Sequence, residues 1–183
     1  FARHGMELSR ATMCDWTRAS ALMLEPIVAA MKERIVESKV IHADDTPVTV
    51  REPGKSGTHQ GQFWTYLGDD NHPYVVYDYT PSRRRDGPVE FLCDFKGTAE
   101  QPRYLHADAY GGYDGIYVPD DDGRHVLEVA CWAHARRKFH DARNSDVNRA
   151  HAMLAWIQRL YAIERDAKEF TANDRYALRQ EKA

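Results

Sequence analysis

The chain has 183 residues, a formal net charge of −3, 43% hydrophobic residues and 29% charged residues. That length holds one good core, burying roughly 70% of the unfolded surface, and is too short for two equal domains. The charge excludes a whole-molecule field that would draw nucleic acid, so any such role must rest on local basic groups. Cys14, Cys93 and Cys131 are odd in number, widely spaced and without a C-x-x-C pair. They argue against a disulfide framework and for a reducing compartment. No apolar run is long enough to span a bilayer and no cleavable signal is present, so a cytoplasmic location and no membrane partner are expected. The start at Phe1 and the closing RYALRQEKA, which reads as an unfinished helix, suggest a fragment.

In chain order, a helical pattern begins after Ser9, a suitable N-cap, with Met13, Trp16, Met23, Ile27, Val28, Met31 and Ile35 on its apolar positions. Pro26 interrupts it, which predicts two helices, about 10 to 24 and 26 to 38. The first has the look of the second helix of a helix-turn-helix, with Arg10, Thr12 and Arg18 on its polar side; the other reading is an amphipathic helix packed on the main domain.

A central strand is expected at 39 to 50, a turn-rich loop at 51 to 61, and strands at 62 to 68 and 74 to 80, together an antiparallel meander. Asp86 and Pro88 start a helix that Gly97 ends, with Val89, Leu92, Cys93 and Phe95 inward. Strands at 104 to 108 and 125 to 132 follow, then a basic helix with Ala135, Phe139 and Ala142 inward and His134, Arg137, Lys138 and Asp141 on another face. A last long helix, about 147 to 170, carries Met153, Leu154, Ile157, Leu160 and Tyr161 at core spacing. The order predicts an α/β domain with a mixed sheet in which the first and fourth strands can be neighbours.

Two stretches carry the chemistry. VIHADDTPV (40 to 48) delivers Asp44 and Asp45 within an apolar strand, and YLHADAYGGYD (104 to 114) places Asp108 after a second strand. Ionised acids in such runs are costly to bury without a partner. Each alone could be a turn cap. The echo H-A-D-D / H-A-D-A points instead to a divalent-cation site, since hard cations take one or two carboxylates plus substrate phosphates. Side chains alternate along a strand, so Asp44 and Asp45 point to opposite faces and only one easily joins Asp108. Asp44 is expected to be that one, with Asp45 pointing away.

Arg83, Arg84 and Arg85, and Arg136, Arg137 and Lys138, are two basic groups suited to DNA phosphates, or else solvated surface. Cys131 and His134 form a C-x-x-H that could be half a zinc site with His140 or His106; the alternative is a small buried Cys131 and a His134 that contacts phosphate or polarises a water. Glu128, Glu164 and Glu169 are the third acids available.

The blocks GMELSRATMCDW, HADDTPV, LHADAYGGYD, CWAHARRKF and LYAIERDAKEF, in this order over nearly the whole chain, resemble the insertion sequence 66 family of DDE transposases. The resemblance implies a ribonuclease-H-like catalytic domain that cuts and joins DNA with two Mg²⁺ (or Mn²⁺) ions, in a bacterial cytoplasm. It implies Asp44 as the first catalytic acid and metal ligand, Asp108 as the second, and a role for His134 in the C-x-x-H. The family more often has Glu where Asp45 stands. Its third acid belongs to an N-N-x-x-E-R block that does not occur in these residues and is expected beyond residue 183. The implied organisation is a helical end of a DNA-binding region at 1 to 38, a partial catalytic core at 39 to 146, and the start of a helical insertion at 147 to 183. Element ends and target DNA, further copies of the chain and accessory proteins of the same element are the implied partners. The rival readings are a catalytically silent DNA-binding or assembly fragment and another ribonuclease-H-like metal-dependent nuclease.

Overall fold

A computed structural model describes residues 2–52, 54 and 56–183. The chain packs as two compact units, Phe1–Val129 and Ala130–Ala183. This boundary matches neither of the divisions read from sequence, at 38 and at 146.

In the first unit, a helix α1 (Arg10–Ile35) starts where expected, with the Ser9 hydroxyl accepting the Thr12 N–H at 3.0 Å. It runs unbroken through Pro26, so the expected pair of helices is one helix. Proline removes one hydrogen bond from a helix interior, and here the remaining turns on both sides hold the helix together. Only its C-terminal end is tied into the core, through buried Ile35 and the partly buried Met31 and Val36. Met13, Trp16, Met23 and Ile27 stay exposed.

Next come β1 (Val40–Val50), β2 (His59–Leu67) and β3 (Val75–Thr80). They form the predicted antiparallel meander, with Asp45 opposite Trp64 and Trp64 opposite Asp78. β2 begins three residues before the expected 62; Pro53 and Lys55 of the expected 51 to 61 loop lie outside the described residues. Asp69 links the β2–β3 turn to the start of β1 by accepting the Lys39 N–H at 2.6 Å. At Gly68 an added Cβ would overlap the His72 carbonyl oxygen, so this tight turn needs glycine.

The short helix α2 (Asp86–Phe91) ends well before Gly97. Its inward residues are Pro88 and Phe91, with Leu92 and Phe95 just beyond, while Val89 and Cys93 are exposed, which corrects the predicted stripe. β4 (Arg103–Ala107) lies parallel to β1 in the register His42 to His106. After a turn at 111–113, α3 (Asp114–Tyr117) leads to β5 (Val126–Ala130), and the five-stranded order is β3-β2-β1-β4-β5. The core lies on one sheet face: Ile41 and Ala43 of β1, Trp64 and Tyr66 of β2, and Leu105 and Ala107 of β4, closed by Phe91, Phe95, Tyr113 and Ile116. Tyr66 stacks on Phe91 at 3.7 Å between ring centroids.

The second unit contains α4 (Trp132–Asp141), α5 (Val147–Asp166) and α6 (Ala172–Lys182). Ile157 is buried and Met153, Leu154, Leu160 and Tyr161 partly so, as their spacing predicts. Asp146 caps α5 and Thr171 caps α6. Arg179 on α6 grips Glu164 on α5 through two bonds of 2.7 and 2.8 Å, and the guanidinium holds the Glu164 carboxyl below its ordinary range.

Leu105 on β4 is fully buried in the core, beside Ile41 of β1. Leu105→Ala is expected to cost about 2–5 kcal/mol in urea unfolding. A second expectation concerns acid. Burial alone would push the Asp69 carboxyl up, but the Lys39 N–H, the His72 ring and the N–H groups of His72 and Asn71 hold it below the ordinary 3.8. A lowered folded pKa stabilises above the ordinary value and loses that contribution as pH falls through the folded one. Asp69→Asn should therefore be less stable than the parent at pH 7, and the difference should shrink below about pH 4.

Candidate functional site

Two strands meet at the site with unequal lengths. β1 runs to Val50, but β4 pairs only with Val40–His42 and ends at Ala107. Along β1 the alternation puts Ile41, Ala43 and Asp45 on the core face and His42 and Asp44 on the other. Asp44 is exposed; the Asp45 side chain is only 4% exposed. On the outer face His42 and His106 stand side by side, Nδ1 to Nδ1 at 2.9 Å, so the H-A-D echo is the register of the two parallel strands.

Arg83 decides the arrangement on the other face. Its Nε donates to Asp45 Oδ2 at 2.8 Å and its Nη2 to Asp45 Oδ1 at 2.6 Å, while the same Nη2 lies 3.3 Å from Asp108 Oδ2. The guanidinium thus grips Asp45 with both arms and reaches Asp108 as well. The hydrogen bond to Asp45, followed by that carboxylate's charge and Asp108's, raises the Arg83 pKa further above its already high value. The expectation that Asp45 points away from Asp108 is corrected: these two carboxylates share one cation. The reason is that the ladder stops at Ala107, so the Asp108 side chain is released from the alternation that would pair it with Asp44.

Around Arg83 the sequence supplies a seat. Its guanidinium lies 3.9 Å over the centroid of the Tyr110 ring, and the Tyr110 hydroxyl donates to the Arg83 carbonyl oxygen. A Cβ at Gly112 would overlap the Tyr110 ring, which explains the glycine that follows Asp108 at this distance. The Gln62 amide donates to Asp45 Oδ2. Tyr113 is 1% exposed, and its hydroxyl has no hydrogen-bond partner among the described residues. Burial and then the charges of Asp45 and Asp108 push the Tyr113 phenol well up, so it stays protonated. Gln62, Tyr110 and Tyr113 were not read from the sequence as site residues. The aromatic run around Asp108 was the signal for the two tyrosines, and Gln62 had none.

Other candidates lie elsewhere. Arg84 and Arg85 are exposed beside Arg83 and border a shallow hollow with Tyr110 and Gly112. Arg136, Arg137, Lys138 and His134 belong to the second unit, where the basic residues are exposed and His134 is half-buried. Glu164 is held by Arg179, and Glu128 is exposed on β5. Among the described residues, no group of three or more His, Cys, Asp or Glu could hold a metal ion, which leaves the C-x-x-H zinc reading without a ligand set.

The family described as "Transposase IS66 family" matches residues 1–183. The chain belongs to the IS66 transposase family. The uncharacterized protein y4qI of Sinorhizobium fredii (strain NBRC 101917 / NGR234) is 28% identical over 194 residues, covering 100% of this chain and 35% of that protein. The uncharacterized protein y4hP of the same strain is 27% identical over 202 residues, covering 100% of this chain and again 35% of the relative. The IS66-family chain therefore spans about a third of the length of the curated relatives it matches. A chain of the cryoEM structure of the simian T-cell lymphotropic virus intasome in complex with PP2A regulatory subunit B56 gamma overlaps 77% of this chain and 46% of its own, with TM-score 0.34 and 8% identity. Among the described residues no helix is long and apolar enough to cross a membrane.

Arg83→Gln would leave the nearly buried Asp45 without its cation. Because Arg83 is 44% exposed, the loss is screened, and about 1–3 kcal/mol of destabilisation is expected in urea unfolding. Arg83→Lys should recover only part of it, since an ammonium cannot grip both oxygens in the same plane.

Proposed function

We propose that this chain carries part of the catalytic centre of a DNA transposase, on a ribonuclease-H-like sheet, with Asp108 as a catalytic acid and metal ligand and Asp44, which lies on the other face of β1 from Asp45, joining it on its motif match alone. The observation that carries the reading is the convergence of acids from the adjacent parallel strands β1 and β4, with Asp45 and Asp108 gathered on one cation. A pair of carboxylates that brackets a guanidinium nitrogen, beside a buried phenol with no hydrogen-bond partner among the described residues, offers hard oxygen donors. Mg²⁺ or Mn²⁺ fits that donor chemistry, completed by substrate phosphate. When bound, such ions supply Lewis-acid activation of the attacking hydroxyl and stabilisation of the leaving oxygen.

The chain's own residues prepare this site in definable ways. Asp108 and either neighbour on β1 provide negative charge at the open end of β4, where a phosphodiester can approach. Gln62 and Arg83 keep Asp45 oriented. Arg83 occupies the space between Asp45 and Asp108, so a divalent ion and the guanidinium compete for the same oxygens. Arg84 and Arg85 flank the approach and suit DNA phosphates. His134 enters the proposal on its motif match alone. DNA cleavage and strand transfer, pairing of several copies and any accessory protein are proposals for the whole protein, with a third acid required beyond the two matched here.

The test is Mn²⁺ binding followed by electron paramagnetic resonance on the 183-residue chain, together with DNA-end cleavage by the whole protein. Asp108→Asn should weaken Mn²⁺ binding at least tenfold, since an amide cannot replace an ionised ligand, and Asp44→Asn measures in the same way whether the motif-matched acid joins it. Arg83→Gln should instead strengthen it, because the resident cation is gone. Both Asn variants should abolish cleavage by the whole protein. Mn²⁺ binding unchanged by Asp108→Asn would remove the metal centre from this place.

A further inference from the structure

The second unit holds a basic cleft that neither the motif match nor the acid site uses. It has a volume of about 840 Å³ and lies along α4 and α5, lined by Arg136, His140, Arg143, His151, Gln158 and Arg165 among others. No Asp or Glu lines it. Arg34, Arg83, Arg124, Arg149 and Arg179 each have a carboxylate within salt-bridge distance. Arg136, Arg143 and Arg165 have no carboxylate partner among the described residues, so their positive charge is left uncompensated in one concavity. Arg143 is also aimed, its Nε donating to the His140 carbonyl oxygen at 2.9 Å.

The length of the cleft speaks for an extended ligand. His151, Gln158 and Arg165 recur every seven residues along α5, which puts successive members about 10 Å apart on one face. A duplex strand advances about 3.4 Å per phosphate, so that spacing spans about three phosphates. A single small anion would meet only one end of the row. Gln158 and the Tyr161 side chain add uncharged hydrogen-bonding groups between the cationic ones, as a sugar-phosphate chain requires.

We infer that the cleft between α4 and α5 binds the phosphate backbone of duplex DNA, with Arg136, Arg143 and Arg165 as its phosphate contacts. This rests on the reading of the chain as a DNA-processing protein and adds to it a surface of its own. Of the basic run 136 to 138 only Arg136 belongs to that surface; Arg137 and Lys138 do not line it.

Fluorescence anisotropy of a duplex of arbitrary sequence, about 20 base pairs long, measured between roughly 50 and 200 mM salt, tests the inference on the full 183-residue chain. Each lost phosphate contact lowers the salt slope by about 0.9. Arg143→Gln/Arg165→Gln should therefore lose close to two units of slope and at least about tenfold in affinity at low salt, equally for unrelated sequences. Arg149→Gln, on the same helix but paired with Asp146, should bind like the parent. Arg136→Gln/Arg165→Gln changes only exposed side chains and supplies the same measurement if the half-buried Arg143 is needed for folding. A parent chain that binds duplex DNA while both double variants keep its slope and affinity overturns the cleft and leaves the DNA reading standing. A parent that binds no duplex overturns both. Displacement of the DNA by poly-glutamate at equal charge concentration would also overturn it, by assigning the cleft to an acidic protein surface.

Discussion

A carboxylate on the core face of a central strand must be compensated, and Arg83 is the compensation for Asp45. Arg83 holds this side chain, only 4% exposed, with two bonds of 2.6 and 2.8 Å. An unpaired charge there would carry a large desolvation cost. Much of the neighbourhood follows from this pair. The segment between β3 and α2 is drawn across the sheet end, Tyr110 slides under the guanidinium, and Gly112 stays small to admit the Tyr110 ring. Asp108 then joins a cation that is already fixed.

The sheet makes this possible by ending unevenly. β1 is the switch point of the topology, antiparallel to β2 on one side and parallel to β4 on the other. Crevices beyond the carboxyl ends of parallel strands are where open α/β sheets hold ligands. Because β4 stops at Ala107, one side of β1 past His42 has no β4 neighbour, and the acids open there. The hydrogen-bonded pair His42 and His106 marks the last register before the opening.

The two units use charge in contrasting ways. In the first, one guanidinium offsets only part of the charge of two carboxylates gathered around it. In the second, the α5–α6 contact is neutralised by Arg179 and Glu164, while the arginines along the α4–α5 cleft are left without carboxylates. A net charge of −3 conceals this. Separation of signs within an overall acidic chain leaves a local basic surface without a basic field overall.

The sequence by itself determined the kinds and order of the elements. The alternation in β1, the Ser9 cap, the meander and the helical spacing of Ile157 and its neighbours are all local, and local periodicity survives folding. It also located Asp44 and Asp45 in the first strand and Asp108 at the end of the fourth, and the ordered motif blocks carried the family. Tertiary structure decided what depends on distant partners. Pro26 lies inside one helix because flanking turns outweigh one missing bond, and α2 ends early because Leu92 and Phe95 bury themselves outside a helix. Which aspartate meets Asp108 could not be read from alternation, because alternation holds only within a paired strand and Asp108 lies one residue past it. The link to Arg83, 38 residues from Asp45 in sequence, is a contact that no local pattern encodes. The clustering of Arg136, Arg143 and Arg165 likewise appears only when α4 and α5 lie side by side.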